Sequence, residues 1–306
     1  MRHSTATLFT FLLAACTTSL APIPDHADDR RLLADVRAAV AELGPGARAA
    51  VWLGRPGQPP TFAWNVDATM PCASAIKAAY LVELFAARAG ALDAPLPGAD
   101  AVLADDTHFA IAHFTPAQRA TARAALGGAT TRRIAEAMIS GKGVDNPTYN
   151  IAANLVTAFF GGPAGLQTLL HARTPEAAGM HVRRYMIRSR TENGDNDATA
   201  RALATVHGGL AAGHVPGLAK AELQACRDVM QQPADAAGRA RFAKGGALDS
   251  EPVTRVAAGW CETPEGPIVH VVMLAQDGVP AAELSAAGTR LGAAARRIER
   301  MLLAPR

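Results

Sequence analysis

Cys72-Ala73-Ser74-Ala75-Ile76-Lys77, running straight into the apolar stretch 78–85, is the segment on which the reading of this 306-residue chain turns. Ser74 is placed to start a helix, and Lys77, three residues on, shares its face. A serine there has two advantages as a nucleophile. Its backbone N–H points outward as a donor to a developing oxyanion, and the helix N-terminus favours negative charge. A lysine tucked into the same helix and short of water holds its pKa down and can take the hydroxyl proton. The S-x-x-K spacing alone also arises from an N-cap serine beside a snorkelling lysine. Ser74 as nucleophile and Lys77 as base therefore call for partners elsewhere in the chain.

Upstream, Leu32, Leu33, Val36, Val40 and Leu43 recur at helical spacing from Arg30 until Gly44-Pro45-Gly46 ends the run. Residues 47–53 then read as a strand, 54–60 as a turn and 61–67 as its antiparallel partner. From Ser74 to about Gly213 the pattern is helix and loop, with 93–113 poorly patterned and read as a surface excursion. Strands return over 239–246, 254–261 and 268–274, the last two joined by a hairpin loop at 262–266. A final helix over 280–303 carries Leu284, Leu291, Ile298 and Leu302 on one stripe. Two early strands and three late ones are each too few to stand alone. The predicted fold is thus α/β (α+β). A five-stranded antiparallel sheet, flanked by the terminal helices and drawn from 30–68 and 214–306, lies beside an all-helical lobe over 69–213. The groove between the lobes is the natural place for a site.

Composition narrows the function. The chain is 49% hydrophobic with a formal charge of only +3. Lys and Arg are scattered without interleaved aromatics, which excludes a nucleic-acid groove. The basic start, the apolar run 6–15 and the ending Leu13-Ala14-Ala15-Cys16 read as an export signal over 1–16. That tetrad resembles the bacterial lipoprotein box, which makes Cys16 the expected lipidation site; a plain secretory signal cleaved slightly later is the alternative. Either reading puts the mature protein in the periplasm or cell envelope, with membrane contact only through the anchor. Residues 17–29, rich in Pro and Asp, are read as a tether to the catalytic domain 30–306. Cys72, Cys226 and Cys261 show no C-x-x-C spacing, and buried small hydrophobes are expected.

No glycine-flanked nucleophile elbow, zinc helix, phosphate loop or dinucleotide fingerprint is present. What the sequence does hold is Thr148-Tyr149-Asn150 leading into Ile151-Ala152-Ala153-Asn154-Leu155, and Lys244-Gly245-Gly246 at the end of a strand bordering the groove. With Ser74-x-x-Lys77 and in this order, they resemble the three elements of the penicillin-recognising serine hydrolases, most closely the class A β-lactamase group. The resemblance covers nearly everything after Arg30. It implies a β-lactamase/transpeptidase-like fold and an acyl-enzyme mechanism, with no cofactor and no metal.

The resemblance also implies roles. Ser74 attacks the amide carbonyl, and backbone N–H groups of Ser74 and Ala247, beside Gly246, form the oxyanion hole. Thr148 passes a proton to the leaving nitrogen, and Asn150 orients Lys77 and the substrate amide. Lys244 holds the substrate carboxylate and helps keep Lys77 neutral, and Arg255 resembles the second carboxylate-binding cation. The implied substrate is a small β-lactam or a peptidoglycan-derived peptide, and a monomer is expected. A D,D-peptidase or amidase sharing the acylation step is the alternative, and a binding protein that keeps the fold without turnover is a third.

Three departures stand out. The second element carries Thr148 and a bulky Tyr149; aligning it on Val144-Asp145-Asn146 instead would remove the hydroxyl, but the Ile-Ala-Ala-Asn-Leu anchor favours Thr148. The third element, Lys-Gly-Gly, lacks a hydroxyl. An ungapped count to Asp197 puts Arg184 where the resembled enzymes carry a deacylating glutamate, so slow deacylation is expected, with Asp197 paired to Arg183 or Arg184; Glu192 is the one candidate substitute, read first as a surface charge or a loop-closing hydrogen bond.

Overall fold

The computed structural model describes residues 27–304. The signal segment with Cys16, and the tether up to residue 26, lie outside the described residues. The chain opens with helix α1 (Ala27–Ala41), strands β1 (Ala47–Gly54), β2 (Phe62–Trp64) and β3 (Met70–Pro71). A 3₁₀ turn (Ala73–Ile76) then feeds α2 (Lys77–Ala87), followed by α3 (Ala99–Ala104), α4 (Pro116–Leu126), α5 (Thr131–Ser140), α6 (Asn146–Phe159) and α7 (Pro163–Arg173). Strands β4 (Met180–His181) and β5 (Asp197–Ala198) precede α8 (Ala200–Ala212) and α9 (Lys220–Met230). The chain closes with β6 (Gln231–Gln232), β7 (Arg241–Ala243), β8 (Gly246–Leu248), β9 (Val253–Cys261), β10 (Ile268–Gln276) and α10 (Leu284–Leu303).

The early and late strands do join. The main sheet runs β2-β1-β10-β9-β7-β6, with β8 also on β9, and β1 lies antiparallel to β10 from Ala47 opposite Gln276 to Gly54 opposite Val269. Seven strands replace the expected five for two reasons. The predicted strand 239–246 is interrupted at Lys244-Gly245, yet one register carries through, with Ala243 opposite Gly259 and Gly246 opposite Val256. The short β6 adds an edge beyond β7.

Strands β1 and β10 are apolar over most of their length, with Arg48, His270 and Gln276 the exceptions, because both faces of the sheet are covered. Val51, Val272 and Leu274 point into a core with Val36 of α1 and Leu291 and Ile298 of α10. Ala50, Trp52, Val271 and Met273 point the other way, into the core shared with the helices. Helix α8 lies directly on β10, β9 and β1, while α9 packs against α5 and α2. At the centre stands α2, buried without a break from Lys77 to Phe85. A helix apolar on nearly every side, with Lys77 and Glu83 its buried charged exceptions, fits only such a position.

Three expectations are corrected. Helix α1 begins at Ala27, so the last tether residues, 27–29, are helical. The lobe read as all-helical contains a small sheet, β3-β5-β4. The stretch 93–113 is no mere surface excursion: Leu96, Leu103, Ala110 and Ile111 belong to the main core.

Candidate active site

Ser74 does not cap a helix as expected. It lies inside the 3₁₀ turn, whose N-cap is Cys72 and which hands over to α2 at Lys77. The turn is held tightly. Ala73 has φ +49°, in the left-handed region that costs an alanine energy, and such strain persists only where the surroundings impose it. Gly246 of β8 is pressed against the turn: a Cβ there would stand 2.6 Å from the Cys72 carbonyl oxygen and 2.8 Å from the Ser74 nitrogen. From the other side, the Cys72 amide donates to the Asn196 carbonyl at 3.1 Å. Ser74 itself is half-buried and faces the groove, with Ala247 exposed across from it.

Lys77 is fully buried. Its Nζ donates to Asn150 Oδ1 at 3.0 Å and lies 3.2 Å from the centroid of the Tyr149 ring. Asn150 is oriented in turn through its Nδ2, which donates to the Asn146 carbonyl at 3.0 Å. Burial first, and the charge of Lys244 second, hold the Lys77 pKa well below the ordinary lysine value. A neutral amine at working pH is what a general base requires.

Lys244 is also buried, and burial pulls its pKa down to about 7. Its Nζ donates to the Ile139 carbonyl at 2.8 Å and to the Tyr149 hydroxyl at 2.6 Å. Tyr149 is the residue that sequence reasoning passed over as mere bulk. Its ring separates the two lysines, and its hydroxyl meets both Lys244 and Ser74. Burial pushes the phenol up to about 12, with the Ser74 contact pulling the other way, so it stays protonated.

Thr148 is elsewhere. It sits in the first turn of α6, fully buried, with Oγ1 unpartnered, and does not line the groove. Successive residues of a helix point about 100° apart, so once Asn150 faces Lys77, Thr148 two positions earlier is turned to the interior. The alternative register fares no better as a hydroxyl source, because Asp145 caps α6 by accepting from the Thr148 amide at 2.9 Å. Arg255 is also displaced from its expected role. It pairs with Asp249, donates to the Leu248 and Thr254 carbonyls, and lies against Gly288 and Gly292 of α10 rather than along the groove.

The loop 182–196 forms the other wall. Asn154, from the sequence anchor, pins it by accepting from the Met186 amide at 2.6 Å and donating to the Met186 carbonyl at 3.2 Å. Arg184 is partly buried in a salt bridge with Asp195 at 2.5 Å, and Arg190 reaches the same carboxylate at 3.0 Å. Asp197 pairs with Arg183 at 3.1 Å. Glu192 is 60% exposed and pairs with Arg188 at 3.5 Å. No uncommitted carboxylate faces Ser74 among the described residues lining this wall. A larger cavity of about 610 Å³, beneath the 54–60 turn, holds none of the three sequence elements and is not the place of this chemistry.

The three elements far apart in sequence thus meet at one groove. No protein-family model matches the chain. No curated protein matches it either. Solved structures do. The class A β-lactamase of the last common ancestor of Gram-negative bacteria matches with a TM-score of 0.64 at 19% identity, over 88% of this chain and 98% of that one. A further ancestral class A β-lactamase matches at 0.64 and 20% identity, over 89% and 98%. The β-lactamase from Sphaerobacter thermophilus DSM 20745 matches at 0.61 and 19%, over 89% and 98%. At this identity the likeness speaks to architecture, and the chain has the fold of the class A β-lactamases.

Proposed function

We propose that the chain is a serine hydrolase that forms an acyl-enzyme on Ser74 from β-lactam or related amide bonds. The single observation that carries this reading is the convergence of Ser74, Lys77, Asn150, Lys244 and Tyr149 on one groove, with both lysines buried. In the proposed reaction the Ser74 oxygen attacks the carbonyl carbon and its proton passes to neutral Lys77. The oxyanion forms against the backbone N–H groups of Ser74 and Ala247. As the C–N bond breaks, the Tyr149 hydroxyl gives a proton to the leaving nitrogen and is resupplied from the lysines. The role first assigned to Thr148 thereby moves one residue on.

Release of the acyl group needs a base to activate water. The nearby carboxylates are committed, Asp195 to two arginines and Asp145 to the start of α6. The Arg184 guanidinium has hydrogen-bond donors only and cannot serve. The adduct is therefore proposed to persist. A peptidoglycan-directed D,D-peptidase or amidase, which shares the acylation step, is the second reading. We place either activity in the cell envelope on the reading of residues 1–16 as an export signal. Intact-mass measurement after incubation with a penicillin tests the function. An adduct lost in Ser74→Ala is expected; no adduct with any acylating reagent would refute it.

A further inference from the structure

The groove has two arms that meet at Ser74, Tyr149, Asn146 and Ala247. A carboxylate entering either arm must be paired or hydrogen-bonded, since desolvating an unpaired charge is costly. In the arm bordered by Lys244 the charged means of doing so are largely taken up. Two of the three Lys244 N–H groups are already given to the Ile139 carbonyl and the Tyr149 hydroxyl, and the side chain is buried. Position 245 has no hydroxyl and no room for one, because a Cβ there would stand 2.6 Å from the Val256 carbonyl oxygen. Arg255 is held by Asp249 and turned toward α10. The rest of the arm is lined by Ile139, Ser140, Gly141, Val144, the uncharged amide of Asn146 and the exposed carboxylate of Asp145, whose charge repels an anion; the Ser140 hydroxyl already donates to the Glu136 carbonyl at 2.8 Å. The cations of the other arm are spoken for: Arg184 and Arg190 by Asp195, and Arg188 by Glu192 and the face of Phe109.

We infer that the substrate is an uncharged acyl compound, a neutral amide, lactam or ester with no carboxylate beside the scissile bond. This rests on the proposed Ser74 chemistry and narrows it. The bond from Ser74 Oγ to the carbonyl carbon forms, the C–N or C–O bond breaks, and the serine proton leaves on the departing nitrogen or oxygen.

The test compares acylation of the full-length protein by benzylpenicillin and by its methyl ester, followed by intact-mass spectrometry. A neutral aryl ester and a fluorophosphonate serve as further probes of Ser74. The ester is expected to acylate at least as fast as the free acid. A groove that recognised the carboxylate through charge-assisted hydrogen bonds would favour the acid by about ten- to a hundredfold, and that preference would overturn the inference. Reaction with the aryl ester and neither penicillin form also supports it. Labelling by the fluorophosphonate alone overturns the substrate class but keeps Ser74 as nucleophile. Labelling by nothing overturns both the class and the serine-hydrolase reading.

Discussion

Tyr149→Phe removes one oxygen from the centre of the site and leaves the ring that separates Lys77 from Lys244. The lost oxygen accepts a hydrogen bond from the Lys244 Nζ at 2.6 Å. Hydrogen bonds to charged groups contribute about 1.5–3 kcal/mol, and about 1.4 kcal/mol is tenfold in rate, so the acylation rate should fall about 10- to 150-fold. The fold should survive, because Lys244 keeps its bond to the Ile139 carbonyl and the ring stays packed over Lys77. The companion variant is Thr148→Val. It replaces a buried hydroxyl without a partner by a methyl of the same shape, so acylation should stay within about threefold and the melting temperature should hold or rise. Stopped-flow acylation with a chromogenic reagent reads both. An unchanged rate in Tyr149→Phe, or a large loss in Thr148→Val, would refute the transfer of the proton-passing role from one residue to the next.

Lys244→Met should alter two pH profiles. Lys244 has a folded pKa of about 7 against about 10.4 unfolded, so between those values the unfolded chain binds more protons and stability falls as pH drops. Melting curves of the variant should lose up to about 1.4 kcal/mol per pH unit of that slope between pH 7 and 10. Its acylation rate should meanwhile rise at higher pH than in the wild type, because the Lys244 charge helps hold the Lys77 pKa down. Gly246→Ala should destabilise by about 1–3 kcal/mol and slow acylation, since the new methyl meets the Ser74 turn; an unshifted melt would count against the close packing described. Arg184→Glu, which restores the resembled glutamate on paper, should cost about 3–5 kcal/mol by leaving Asp195 beside a second buried carboxylate, and fast turnover in a stable variant would contradict this. Cys16→Ser should release the protein from the membrane fraction; a soluble wild type would count against the anchor.

The local patterns point to Ser74, Lys77, Asn150 and Lys244, because each belongs to a short motif whose spacing suits its chemistry, and the fold brings the four together. They were also enough for the sheet of early and late strands, since apolar runs bounded by turn signals leave few ways to pair. Sequence alone could not say which way a side chain points. Thr148 and Tyr149 differ by one position, about 100° around a helix, and only the packing of α6 against α2 turns the phenol to the groove and the threonine to the core. Arg255 was misread for a similar reason: neighbours along a strand face opposite sides of the sheet, and what covers each side is decided by α10 and the helical lobe. The glycines at 245 and 246 read as a motif in the sequence. Their necessity comes from the Val256 carbonyl and the Ser74 turn, atoms brought there only by the tertiary fold.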